Sequence, residues 1–219
     1  MTEATSLRTG RLILVPAVIS LGVTLLRLAG ELLGWSPALF SREAGGGGSI
    51  VGISWLVPVF GAWFGWRLER AGARPGHLGR AFGLTVLALA LLPLSGFVAT
   101  RLGIPEMSLS VLVIYAVVAI AGLAVAFSAW PALARVLLGY ALAARIPVAL
   151  VMLLAILGNW GTHYDVVPPG APEMAGLWKW LMIGLLPQMT VWLWFTVVIG
   201  GLFGLAAAAL ASRRRPSAA

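Results

Sequence analysis

The sequence predicts an all-α, polytopic integral membrane protein with six transmembrane helices, both termini cytoplasmic and no large soluble domain. Three features carry that expectation. Of the 219 residues, 60% are hydrophobic and only 10% charged, against roughly 25% charged in an ordinary soluble domain. Too few polar groups exist to cover a water-facing surface. The apolar residues gather in runs near the 20 or so needed to cross roughly 30 Å of hydrocarbon. The basic residues fall mainly between those runs, where they set topology.

The runs are taken in chain order. The first, 12–33, follows Arg8 and Arg11 as a signal peptide would, but it contains Arg27 and Glu31 and lacks a small-residue cleavage site, so it reads as a retained helix. The second, 49–66, comes after a connection with four consecutive glycines, Gly45–Gly48, which is either flexible or folded into a tight, non-standard turn. The third covers 81–100. The fourth, 109–130, and fifth, 132–157, are separated by almost nothing, and Pro131 suits the first turn of the helix it opens. An excursion at 159–175 follows, held extended by Pro168, Pro169 and Pro172. The sixth run, 177–211, is too long for one crossing. Pro187 should break it, leaving an interfacial stretch at Trp178 and Trp180 before the true span. Segments 1–11 and 212–219 remain as cytoplasmic ends.

Strands are not expected. The runs lack the alternation of a membrane barrel, and in lipid a helix pairs its own backbone groups. "LLP" occurs at 91–93 and again at 185–187, a weak echo of the inverted repeats of transporters. Trp35, Trp66, Trp130, Trp160, Trp178 and Trp180 suit interfacial belts.

The net charge of +8 and pI near 11.5 superficially suggest nucleic acid, yet the charges are arranged for a membrane. With the N-terminus inside, the inner side holds Arg8, Arg11, Arg67, Arg70, Arg74, Arg80, Arg135 and Arg213–Arg215, and the outer side only Arg42, Arg101 and Lys179. Ten against three is a strong positive-inside bias. Five or seven crossings would place Arg213–Arg215 outside. The expected location is therefore the bacterial cytoplasmic (inner) membrane, with the bilayer as partner and no nucleic acid. The chain has no cysteine, which excludes disulfides and thiolate catalysis.

Arg145 is the anomaly. It lies near the middle of the fifth run, where a charge costs on the order of 2.5–3.5 kcal/mol and normally faces a bundle interior or wet cavity. The alternatives are an anionic ligand, an internal ion pair, or snorkelling. Arg27 and Glu31, four residues apart on one helical face, suit an intrahelical pair; otherwise Glu31 reaches Arg145 and leaves Arg27 free. Gln188 follows the Pro187 break, where polar groups either coordinate ligands or re-satisfy the backbone. These four, Arg145, Arg27, Glu31 and Gln188, form the candidate ligand site.

A second cluster, Asn159, His163 and Asp165, occupies "GNWGTHYD". Gly158, Asn159 and Gly161 are helix-ending residues, so a cap and an ordered loop explain most of it. With Glu173 it offers potential metal ligands, but no zinc-site spacing is present and no catalytic motif occurs anywhere. No metal, cofactor or catalytic residue is expected. Gly61/Gly65 and Gly200/Gly204 permit close helix approach, within the bundle or at a subunit interface.

Two function classes follow. The first is a small transporter or lipid/anion-binding protein using intramembrane arginine, with an anionic lipid or small anion as ligand. The alternative is a non-catalytic subunit or scaffold of a homo-oligomer or larger membrane complex. An intramembrane enzyme using His163 and Asp165 comes third.

Overall fold

Apolar runs that must pair their own backbone groups fold here as helices, and no strand forms among the described residues. The computed structural model describes residues 3–105, 108–169 and 171–213. In chain order they form α1 (Glu3–Leu32), α2 (Leu56–Arg70), α3 (Leu78–Arg101), α4 (Leu109–Ala129) and α5 (Pro131–Gly158). A broken segment follows: α6 (Gly176–Lys179), a π-helical turn at Trp180–Leu185, α7 (Leu186–Met189) and α8 (Val191–Arg213). Among the described residues, five stretches are long and apolar enough to cross a membrane, namely Thr9–Leu32, Leu78–Arg101, Leu109–Ala129, Pro131–Gly158 and Gly176–Ser212. This is the make-up of a multi-pass membrane protein. The basic tail lies, from 214 on, outside the described residues, and α1 already begins within the segment expected at 1–11.

The second run departs from expectation. Its helix starts at Leu56 and has 15 residues, about 22 Å of rise, while residues 49–55 are irregular. Pro58 explains part of this. It has no N–H to give to the carbonyl of Ser54, so it belongs in the first turn of a helix and not in its interior. The carbonyl of Val51 is also taken by the Nη1 of Arg27 at 2.7 Å, which commits that stretch to another role.

The centre of the bundle is α5 and the α6–α8 segment. Half of the most apolar window of each is buried, against 17–22% for α1, α3 and α4. Around this centre, α2 crosses α8 very closely. A Cβ built on Gly61 would fall 2.5 Å from the Cα of Gly200, and one on Gly65 2.5 Å from the Cα of Gly204. The small-residue faces therefore meet each other within the chain. Trp130, expected in a belt, is only 2% exposed because its indole N–H donates to the carbonyl of Ala73 at 2.8 Å. Trp35, Trp66, Trp160 and Trp178 are exposed.

Pro131 opens α5 within its first two positions. The Pro187 break is present but spread out: the turn before it widens to π geometry, and the helix is interrupted at Thr190 (φ −122°, ψ −79°). The Thr190 hydroxyl donates to the carbonyl of Leu186 at 2.6 Å, satisfying an acceptor near the interruption. Pro93, by contrast, sits inside an unbroken α3. The two "LLP" segments thus differ in structure.

Candidate functional site

A cavity of about 310 Å³ lies where α1, α5 and the broken segment leave space between them. Its walls include Val23, Thr24 and Arg27 from α1, Arg145, Val148 and Met152 from α5, and Ile183, Pro187, Gln188 and Trp192 beyond. Its roof comes from two connections, through Gly45, Gly52, Ile53 and Ser54 of the first and His163, Tyr164, Val166 and Pro168 of the second. Of the seven residues singled out in the sequence, Arg145, Arg27, Gln188 and His163 line this one space.

Arg145 lies midway along α5, about 20 Å from either end of the helix. It is 3% exposed, and its Nε and Nη2 have no hydrogen-bond partner among the described residues. Among the described residues no carboxylate pairs with it. Its guanidinium carbon instead lies 4.5 Å from the ring centroid of Trp192, over the face of the indole. That cation–π contact attracts the charge without satisfying its N–H groups.

Arg27 is the opposite case. Its Nε donates to Glu31 Oε1 at 2.8 Å, and its remaining nitrogens donate to the carbonyls of Val51 (2.7 Å), Ser41 (3.0 Å) and Gly46 (3.1 Å) and to Ser49 Oγ (3.2 Å). One guanidinium therefore gathers the first connection over the cavity. The glycines make that wrapping possible. Gly45, Gly46, Gly47 and Gly48 all have positive φ, where a Cβ is strained, and a Cβ on Gly46 would press on Arg27 Nη2 at 2.8 Å. The tight, non-standard turn is the form adopted.

Glu31, fully buried, ties the second connection to the first. Besides Arg27, its carboxylate accepts from the backbone N–H of His163 at 2.8 Å and bonds the His163 ring through Nδ1. Its own backbone carbonyl accepts from Arg42 through Nε (2.8 Å) and Nη2, which caps the end of α1. The alternative pairing of Glu31 with Arg145 is not formed.

The loop cluster divides. Asn159 takes the left-handed cap of α5 (φ 49°) and is exposed, away from the cavity. Asp165 accepts from the backbone N–H groups of Gly161 (2.9 Å) and Thr162 (2.7 Å) and from the Thr162 hydroxyl (2.7 Å), so it staples the loop. Tyr164 reaches down to donate to the carbonyl of Thr24 at 3.3 Å. Burial, reinforced by the Glu31 carboxylate, pushes its phenol above the ordinary tyrosine range. No group of three His, Asp or Glu side chains suited to a metal occurs among the described residues.

Gln188 is 7% exposed. Its Nε2 meets the Met152 sulfur at 3.8 Å, and its Oε1 is unpartnered. Trp192, Tyr164 and Met152 complete the site and were not foreseen. Among ten tryptophans, nothing in Trp192 marks it beyond its position four residues after Gln188. No family model, curated protein or solved structure matches the chain.

Proposed function

We propose that the protein is a six-crossing inner-membrane protein, both termini cytoplasmic, that binds an anionic group in this cavity through Arg145, as a small transporter or a lipid/anion-binding protein. The distribution of arginine and lysine supports the topology, with α2 as the short crossing closed against α8 by the paired glycines. One observation carries the function: a buried guanidinium, with no carboxylate and with Nε and Nη2 unpartnered among the described residues, lines a cavity large enough for a ligand. An internal structural pair would have supplied that partner. A lipid-facing side chain would not be 3% exposed.

The subunit alternative gains nothing specific. Its small-residue faces are already occupied by one another, and the exposed apolar faces of α1, α3 and α4 suit lipid. For the enzyme alternative, His163 turns to Glu31 and Asp165 to its own loop, and no hydrogen bond joins the two.

The test is ligand-linked stability. Purified protein, stripped of lipid, should melt higher on addition of phosphatidylglycerol or a simple carboxylate; occupancy at a hundred times Kd adds about 2.7 kcal/mol. Arg145→Gln, which keeps donors but removes the charge, should abolish the shift. A wild-type protein that no anion stabilises would refute the proposal. Flux of the stabilising anion into liposomes then separates transport from binding alone.

A further inference from the structure

We infer that the ligand carries one singly charged anionic group together with its own hydrogen-bond donor, a hydroxyl or N–H: Arg145 holds the anion and Gln188 Oε1 receives the donor. The inference rests on the anion reading above and narrows it.

Arg145 and Gln188 line the same cavity and are both buried, 3% and 7% exposed. Each presents polar atoms that nothing among the described residues satisfies, and they are of opposite kind, N–H donors on Arg145 and a carbonyl acceptor on Gln188. Chemistry fixes which way the amide points. A thioether sulfur accepts weakly and never donates, so the contact with Met152 Sδ at 3.8 Å belongs to Nε2 and leaves Oε1 as the orphan. The backbone beside it cannot help, because Pro187 has no N–H to offer. A buried acceptor left bare is costly, so an occupant that brings a donor is favoured over one that does not.

The charge follows from the same inventory. Arg27 pairs with Glu31 and the ring of His163 bonds the same carboxylate, so among the described residues that line the cavity Arg145 is the arginine left without a carboxylate. One negative charge balances it, and a second would be desolvated without a partner. Part of the wall, including Val23, Val148 and Ile183, suits an apolar body. Two sources share this chemistry: the phosphodiester of a hydroxylated lipid headgroup, and a free carboxylate bearing a hydroxyl or an uncharged amide N–H.

Matched probes test it on the full chain, delipidated in a non-ionic detergent. The lipid arm compares phosphatidylglycerol with phosphatidylmethanol, which keeps the phosphodiester charge and lacks the hydroxyls. The soluble arm compares lactate with propionate, two monoanions that differ only by a hydroxyl. In one arm the donor-bearing member should bind at least about tenfold more tightly, the scale expected for a buried acceptor otherwise left unpaired. Gln188→Leu should collapse that preference while the donor-free anion still binds. Equal wild-type affinity for donor-bearing and donor-free members overturns the inference and leaves the anion reading standing. Failure of every probe to bind removes the anion reading itself. Should Gln188→Leu not fold, the wild-type ratio alone decides.

Discussion

Replacing Arg145 with methionine should make the ligand-free protein no less stable, and slightly more so. Methionine is a flexible, apolar side chain able to fill the space of the arginine stem; what disappears is the guanidinium. An arginine at the centre of a membrane helix costs about 2.5–3.5 kcal/mol on insertion scales. Among the described residues the direct contact that favours the charge is the face of Trp192 at 4.5 Å, worth ~2 kcal/mol for a desolvated cation. The difference leaves the substitution stabilising by roughly 1 kcal/mol. Had the guanidinium closed a buried ion pair, deleting it would cost about 3–5 kcal/mol. The two outcomes differ in sign and lie about 4–6 kcal/mol apart, well within reach of equilibrium unfolding in mixed micelles followed by circular dichroism. A saturating anion should then reverse the order by stabilising wild type alone. A loss of 3 kcal/mol or more in the ligand-free Arg145→Met protein would show that Arg145 serves the fold, and the reasoning would fail.

Further expectations concern the frame around the site. Glu31→Gln keeps the shape of the hub but removes its charge, leaving buried Arg27 uncompensated. It should cost about 3–5 kcal/mol and open the 34–55 and 159–175 connections to limited proteolysis, and wild-type protection would contradict the latch. Gly61→Ala forces a methyl group into the backbone of α8 and should destabilise by about 1–3 kcal/mol. Gly83→Ala, with nothing within 4 Å, should gain up to about 1 kcal/mol; equal thermal shifts would refute the close crossing. Burial holds the Tyr164 phenol above the ordinary tyrosine value of 10.0, so the unfolded chain ionises first as the pH climbs. Its contribution is therefore complete below about pH 10 and lost as the pH rises through the higher folded value. Tyr164→Phe should flatten that alkaline decline in an unfolding series, and an unchanged slope would count against it.

What the sequence revealed, and what it hid, follows from range. Helix-forming runs are legible because bilayer thickness and backbone pairing act on consecutive residues, and the α3, α4 and α5 boundaries fall within a few residues of expectation. Arg145 stood out for the same reason, since a charge amid apolar neighbours is a local anomaly. The apolar stretch 49–55 misled because its fate depends on Arg27, 24 residues before Val51. The His163–Glu31 bond spans 132 residues and leaves no mark in either neighbourhood. Asp165 was readable as part of a loop, but not as its staple. Gln188 was flagged by its proline, whereas Trp192 was one indole among many.

The most direct measurement is to locate a monoanion. Crystals of the delipidated protein soaked in bromide, with data collected at the bromine absorption edge, should show an anomalous peak within about 3.5 Å of the Arg145 guanidinium, and Arg145→Met crystals should lack it. Bromide peaks at surface arginines with none beside Arg145 would contradict an anion site in this cavity.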